Sequence, residues 1–389
     1  MMPQKIIAQS EALAREFARS APSYDQSAEF PHAHFEALHR AGILGLTMQK
    51  QHGGQGGGLS EALAVVNAVA RGCPSTGLVL SMHLSHHNAV GRSGKWPTHL
   101  VERVTRANRE GVALINSIQV EPVGGSPSHG GLPQTVARRV GDYWHISGRK
   151  TYATGVPALK WANVLAVTDE AVPRLGGFLV PLNAKGVRVE RTWNASGMRA
   201  TRSDDVILED VVIPYEDTID LAPASLGLRR DARESAWYFG LVPAVYDGAA
   251  QAARDWIVDF ANSRAPGSLG APLSSLPRFQ DALGQIEVLL TVNRRLLRSL
   301  AEDYDQGCDI GTEAGVVKHT VIENALTVTQ IANDLGGNPG FSRDNPLERH
   351  HRNVLGGKSH APQNNLIRAG LGKAAFARAL PQNAAVAAE

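Results

Sequence analysis

The sequence predicts an α+β protein in three parts: a helical N-terminal domain over residues 1–111, a β-rich middle domain over 112–217 and a C-terminal helical bundle over 218–389. Three observations carry this reading. Apolar residues recur at helical spacing up to Glu110. Short runs rich in β-branched or aromatic residues, bounded by Gly, Pro, Asn or Asp, then occupy Val112 to Pro214. Long, Ala-rich helical stripes return from Ala232 onward.

In the first part Ile6, Leu13 and Phe17 share a helix face, and Leu59–Val69 and Leu78–His87 continue in the same mode. The strands expected in the middle part are Ala113–Gln119, Tyr143–Ser147, Val164–Thr168, Gly177–Val180, Val187–Arg191 and Asp205–Leu208. In the last part Leu283, Ile286, Leu290, Leu297 and Leu300 form one stripe, and Val317, Val321, Val328, Ile331 and Leu335 another, as in a four-helix-type bundle.

Composition narrows the function. At 389 residues, 43% hydrophobic and 20% charged, the chain is an ordinary globular one with ample material for a core. Lys+Arg 39 against Asp+Glu 37 gives a net charge of +2 without a basic block, so neither nucleic acid nor an anionic membrane is an expected partner. Cys73 and Cys308 are too few for a disulfide framework or a Cys-rich metal site, and they suit a reducing compartment. Arg71 and Asp247 interrupt the best apolar runs, and the N-terminal stretch lacks the apolar core of a signal peptide; a cytoplasmic location is expected. His83, His86 and His87 fall at helical spacing, but with no Glu-x-x-His pattern and no Cys partner no metal is expected. The Gly clusters Gly53–Gly58, Gly124–Gly131 and Gly336–Gly340 lack a GK[ST] ending and a βαβ setting, which argues against a Rossmann or P-loop nucleotide site.

Five collinear strings then become informative: HGGQGGGLSEALAVVNAVARG (His52–Gly72), VEPVGGSP (Val120–Pro127), ISGRKTYATG (Ile146–Gly155), GMRATRSDDVILEDVVIP (Gly197–Pro214) and LGGNPGFSRDNPLERHHRNV (Leu335–Val354). In order and spacing they resemble the acyl-CoA dehydrogenase superfamily of flavoproteins over nearly the whole chain. The resemblance implies that superfamily's fold, with a β-barrel-like middle domain, and a flavin between that domain and the bundle. By position it implies that Tyr152, in place of the family Trp, stacks on the flavin and that Thr154 bonds the reactive ring nitrogen. It likewise implies that Ser126 contacts the phosphate and that Ser117 lies near the pyrimidine edge. Arg264, Gly336 and Gly337 would reach the cofactor of a neighbouring subunit, which presupposes the homotetramer common in this superfamily. Asn333, Pro339 and the string Arg264–Ala–Pro–Gly267 depart from the family pattern at the adenine half of FAD, which favours FMN or transient binding of either flavin.

An acyl-CoA dehydrogenase needs a carboxylate to remove the α-proton. The resemblance offers two positions for it, and Ala361, after His360, fills one while Tyr238 fills the other. Glu234 lies one helical turn from the second position and is the candidate for a displaced base. The string SHAP (Ser359–Pro362) resembles instead the superfamily's oxygenase branch, which includes dibenzothiophene monooxygenase and carries a His there. That branch takes reduced flavin from a separate reductase and uses O2, so no α-carbon base is required. His360 and His83 are the catalytic residues this implies, as donors or orienting groups near the flavin. The resulting expectation is a two-component flavin-dependent monooxygenase acting on a small aromatic, sulfur or nitrogen compound. The rivals are an acyl-CoA dehydrogenase with Glu234 as base and a fold homologue without activity. Retained Thr154 and Ser126 argue against the last.

Overall fold

The computed structural model describes residues 2–124, 131–229 and 231–379. Five helices come first: α1 (Met2–Ser27), α2 (His32–Arg40), α3 (Leu59–Gly72), α4 (Pro74–Arg92) and α5 (Thr98–Glu110). Pro74 opens α4 at a position where its missing N–H costs nothing. The N-terminus of α3 is held from two directions. Glu61 accepts from the Gly58 N–H at 2.9 Å, and Asp305 accepts from Leu59 and Ser60 N–H at 2.8 and 2.9 Å. A carboxylate against the positive end of a helix is favourable, and here it also ties α3 to the far bundle.

The middle of the chain forms an eight-stranded sheet, β1 (Leu114–Ile118), β2 (Val136–Val140), β3 (Tyr143–Lys150), β4 (Leu159–Thr168), β5 (Arg174–Pro181), β6 (Val187–Glu190), β7 (Asp205–Pro214) and β8 (Thr218–Pro223). Its order is β6-β7-β3-β2-β4-β5-β8, and β1 adds to β4 in parallel. Two of these strands are invisible in the sequence pattern. The outer half of β2 is exposed and carries Arg138 and Arg139, so it lacks an apolar alternation. β8 is short, pairs with β5 and ends in Pro223, past residue 217 where the middle part was expected to close. β4 also starts five residues early, at Leu159, because Lys160 and Asn163 dilute its apolar signal.

The sheet is anchored by Trp144, fully buried, stacked on Tyr215 at 5.2 Å and edge-on to Phe178 at 5.5 Å. Beside this core lies an ion pair. Lys150 Nζ, 0% exposed, donates to Glu121 Oε1 at 2.6 Å, and Glu121 also accepts from the Gln134 and Thr135 N–H groups and the Thr135 hydroxyl. Burial raises the Glu121 carboxyl, but those four donors outweigh it and hold it below the usual range. Burial pulls Lys150 down despite its partner.

The C-terminal helices are α6 (Ala232–Ser263), α7 (Pro277–Asp305), α8 (Glu313–Phe341), α9 (Leu347–Leu355) and α10 (Asn364–Ala379). The predicted stripes on α7 and α8 are buried or half-buried. α6 runs between α3 and α8, and small residues make this close approach possible: Ala244, Ala249, Ala250 and Ala253 are all buried. At Gly248 a Cβ would lie 2.5 Å from the Asn67 carbonyl oxygen of α3, so no larger residue fits. Asp247, which broke an apolar run in the sequence, is buried here and accepts from the amides of Asn67, Gln251 and Asn293 at 3.0, 2.7 and 2.8 Å. Among the described residues no helix is long and apolar enough to cross a membrane, and no group of His, Cys, Asp and Glu could hold a metal ion.

Two predictions follow from this packing. Lys150→Met strands a buried carboxylate and is expected to cost about 3–5 kcal/mol by denaturant unfolding at pH 7; a loss below about 1 kcal/mol would contradict a structural role for the pair. Burial lowers His34 to about 4 and His350 to about 3. Both are neutral when folded yet take up a proton near pH 6.5 when unfolded. Stability is therefore expected to fall as pH drops below about 6.5, by up to about 1.4 kcal/mol per pH unit for each histidine. Unfolding curves at pH 7 and 5.5 measure this.

Candidate active site

A cavity of about 850 Å³ lies between the sheet, α4 and the N-terminal half of α6. Its sheet side is built by β1 and by the strap that leaves β3. Tyr152 on that strap has φ of +58°, a left-handed conformation uncommon for a residue with a Cβ. Hydrogen bonds hold it there: Ala153 N–H to the Asp204 carbonyl at 3.1 Å and Gly155 N–H to the Thr201 carbonyl at 2.9 Å. The turn leaves the Tyr152 ring 63% exposed, edge-on to Trp193 at 6.3 Å, with both rings lining the cavity. Asp204, fully buried, accepts from the Thr192 and Trp193 N–H groups and pairs with Arg202 at 2.7 Å, which fixes the loop carrying Trp193.

Hydroxyls and amides supply the polar part of this wall. Thr154 Oγ1 lies 3.0 Å from Ser203 Oγ, and the Thr154 carbonyl accepts from Asn116 Nδ2 at 3.1 Å. Ser117 Oγ accepts from Gln119 Nε2 at 2.9 Å and itself donates to the Asn163 carbonyl at 3.4 Å. Buried atoms without a partner among the described residues also border the space: Asn88 Oδ1, Asn163 Oδ1, Thr151 Oγ1, Trp237 Nε1 and Gln363 Oε1. An exposed aromatic face beside a cluster of short hydroxyls, with orphaned polar atoms to satisfy, suits a planar heteroaromatic cofactor such as a flavin. The volume leaves room for a small second molecule.

The helical side centres on His360. Tyr246 Oη lies 2.6 Å from its Nε2 and Tyr238 Oη 3.3 Å from its Nδ1. Lys318 Nζ, buried on α8, donates to the carbonyls of His360 and Pro362 at 3.1 and 3.0 Å and so pins the loop. Burial first, then the Lys318 charge, lowers His360 to about 3, so the ring is neutral near pH 7. Burial lowers Lys318 to about 8.

Of the residues the sequence singled out, Ser117, Tyr152, Thr154 and His360 meet at this cavity. Ser126 lies outside the described residues. His83 does not line the cavity, which corrects the expectation that it acts at the site. It is 1% exposed, and both ring nitrogens are used: Nε2–H donates to the Leu44 carbonyl at 3.0 Å and Nδ1 accepts from Ile115 N–H at 3.2 Å. It is a core histidine linking α4 to β1, lowered to about 3 chiefly by burial. The neighbour that does face the cavity is His86, whose Nδ1–H donates to the Met82 carbonyl at 2.7 Å. Arg264, Gly336 and Gly337 are also absent from the cavity wall. Arg264 caps the end of α6, about 39 Å along the helix from Tyr238 at 1.5 Å per residue. Gly336 packs on Leu347 and Trp256, and Gly337 marks a break in α8 at φ +55°. Arg352 pairs with Glu348 at 2.6 Å and with Asp25 at 2.7 Å, a structural role.

Sequence reasoning missed Tyr246, Lys318 and Lys95. Tyr238 and Tyr246 stand eight residues apart, two turns of one helix face, and Lys318 is a lone charge on the Val317–Val321 apolar stripe; both were readable signals. Glu234 lines the cavity but is engaged by Lys95 Nζ at 2.9 Å. Asp220 is shared between Lys95 and Arg229, and Asp231 caps α6 by accepting from Arg233 N–H at 2.8 Å. Since His83 bridges two elements, His83→Ala is expected to cost about 2 kcal/mol or more of stability by leaving a buried N–H and carbonyl unpaired. FMN affinity in a fluorescence titration is expected to stay within about twofold, a change of under 1 kcal/mol; a large loss of affinity with unchanged stability would reverse the assignment.

Comparison with known proteins places this architecture. Three family models match in order: acyl-CoA dehydrogenase N-terminal domain over residues 7–95, middle domain over 119–211 and C-terminal domain over 241–360. The Bacillus subtilis protein YdbM, which bears the name of an acyl-CoA dehydrogenase, is 32% identical over 358 residues, covering 91% of this chain and 92% of that protein. KijD3, solved with FMN and dTDP-3-amino-2,3,6-trideoxy-4-keto-3-methyl-D-glucose, is 25% identical with a TM-score of 0.84, covering 98% of this chain and 95% of that one. Butyryl-CoA dehydrogenase of Megasphaera elsdenii, 20% identical, shares the fold with a TM-score of 0.87 over 96% of this chain and 98% of its own. The chain belongs to the acyl-CoA dehydrogenase family.

Proposed function

We propose that the protein is a flavin-dependent monooxygenase that receives reduced flavin, FMN or FAD, from a separate reductase and uses O2 on a small aromatic, sulfur or nitrogen compound. One observation carries the reading: among the described residues every carboxylate bordering the cavity is held by a cation or caps a helix, and the two places where the resemblance puts the dehydrogenase base hold Ala361 and Tyr238. Asp220 and Glu234 are tied into the Lys95–Arg229 network and Asp231 is a helix cap. Abstraction of an α-proton needs a carboxylate that is not held in an ion pair or spent on a helix cap, and among the described residues each carboxylate lining this wall is held in one of these ways. The likeness to KijD3, solved with FMN and an amino sugar, supports the same direction.

Bound reduced flavin would supply the electrons and the site at which O2 is activated. The chain's own residues hold it and shape the space around it. Tyr152 and Trp193 would form the aromatic wall against the ring, and Thr154, Ser203 and Ser117 would bond its polar edge. The His360 loop, clamped by Lys318, would form the helical side of the space, and where a bound ligand displaces water each hydrogen bond to it would be strengthened. Arg264, Gly336 and Gly337 stand at the far end of the bundle, where a contribution to a cofactor requires a neighbouring subunit of a homotetramer.

The name of YdbM and the position of Glu234 on the cavity wall favour a second reading, an acyl-CoA dehydrogenase in which Glu234 is released from Lys95 to act as base. Stopped-flow absorbance separates the two. Protein carrying chemically reduced FMN is mixed with oxygenated buffer; a transient species spectrally distinct from reduced and oxidised flavin is expected before oxidised flavin returns. Direct return of oxidised flavin, with anaerobic bleaching of bound FAD by butyryl-CoA, would instead establish the dehydrogenase. Glu234→Gln is expected to leave the oxygen reaction unchanged, whereas a base role predicts a loss of about 10²-fold or more in the bleaching rate.

A further inference from the structure

His86 stands on the cavity wall with one of its two ring nitrogens committed. It belongs to α4, and its Nδ1 lies 2.7 Å from the Met82 carbonyl oxygen one turn back. A carbonyl oxygen has no hydrogen to give, so the hydrogen of this pair sits on Nδ1. Burial lowers His86 from its ordinary value, against the pull of the Met82 bond, and the ring is neutral near pH 7. A neutral imidazole carries one hydrogen, so Nε2 is left as a bare lone pair. Among the described residues no donor reaches it. Both ring nitrogens of His87, one residue on, are sealed in the interior without a partner. Nε2 of His86 is not sealed in this way, and the ring that bears it lines the cavity.

The other basic groups of the wall are committed. His360 has a phenol at each ring nitrogen, Asp220 and Glu234 are paired with Lys95, and Asp231 caps α6. Among the described residues lining the cavity, His86 therefore offers the one imidazole or carboxylate lone pair that no protein group holds. Its neighbours decide what it can meet. Met82 and Ala89 lie about a turn to either side on the same face of α4, and Trp96 follows the end of that helix; all three line the cavity. An apolar and aromatic surface around one acceptor suits a flat molecule with a hydrogen to donate. A charged ligand finds no idle counter-charge, since Lys95, Arg229 and Arg352 are each paired with a carboxylate.

We infer that His86 Nε2 accepts a hydrogen bond from the substrate, and that the substrate is an uncharged aromatic compound bearing an O–H or a ring N–H. The inference narrows the substrate of the monooxygenase reading and rests on that reading. A thioether or thiophene sulfur has no hydrogen to donate, so it would cover Nε2 and leave that nitrogen without a partner, at a cost in affinity. A site built to bond a substrate O–H or N–H rejects the analogue lacking it more strongly than an apolar pocket separates ligands by size. No proton moves between substrate and protein in this contact: the substrate keeps its hydrogen. The bond fixes which edge of the ring lies against α4, and so which edge is turned to the rest of the cavity.

Two readouts test it, with 2-naphthol as the donor-bearing probe and its methyl ether as the probe without a donor. In equilibrium dialysis against protein loaded with oxidised FMN, 2-naphthol is expected to bind about tenfold more tightly than the ether. His86→Phe is expected to bring that ratio close to one. The readout is a ratio within each protein, so a general loss of binding in the variant cancels. In protein with ¹⁵N-labelled histidine, the His86 signals, identified by their loss in His86→Phe, are expected to report the Nδ1–H tautomer. The Nε2 resonance should move toward the protonated range when 2-naphthol is added and stay in place with the ether. An Nε2–H tautomer, or an Nε2 resonance indifferent to 2-naphthol, overturns the inference. Equal affinities in the wild type, or a ratio that His86→Phe leaves unchanged, overturn it as well and leave the oxygen reaction as measured by stopped flow untouched. A protein that prefers 2-naphthol through His86 yet forms no transient with O2 overturns the monooxygenase reading, and with it the assignment of this contact to a monooxygenase substrate.

Discussion

The hydrogen bond between Tyr246 Oη and His360 Nε2 joins the longest helix of the bundle to the loop that covers the cavity. Much of the site depends on it. Tyr246 is placed by α6, and α6 reaches its position because Gly248 and a run of buried alanines let it lie against α3 and α8. Lys318 on α8 then fixes the loop from the other side through two carbonyls. A change in the spacing of these helices would move the phenol, the lysine and the imidazole together. Helix packing and the chemistry of the cavity are here one constraint.

The molecule treats its buried charges in two ways. Glu121 and Lys150 neutralise each other inside the middle part, and Glu121 is saturated with donors. Among the described residues Asp247 has no cation bonded to it and relies on three amides. A buried charge is tolerable only with such partners, which is why each of these residues brings a set of polar neighbours from distant parts of the chain. Around the cavity the same rule applies, and among the described residues Lys95, Arg229 and a helix N-terminus engage the carboxylates that border it. The histidines inside are kept neutral by burial. The result is a cavity whose polar groups are mostly uncharged hydroxyls, amides and imidazoles.

That chemical character separates the fold from any one reaction. The family architecture accommodates a butyryl-CoA dehydrogenase and KijD3 with its FMN and amino sugar alike, so the architecture does not choose the chemistry. At the junction of the sheet and the bundle this chain places a phenol, an imidazole and a paired carboxylate.

The linear chain was sufficient for the three-part organisation and the helical stripes, because periodicity acts over a few positions. It was not sufficient for β2 and β8, whose exposed or short pairings leave a weak local pattern. His83 and His360 were both candidates in the sequence. Only folding told them apart, by giving His83 a carbonyl and an N–H from distant segments and His360 two phenols at the cavity. Likewise Glu234 read as an available base until Lys95, 139 residues away, was brought to it. Local patterning determines which elements form, because their signals are short-range. The availability of a polar side chain for chemistry depends on partners remote in sequence, and only the tertiary structure decides those.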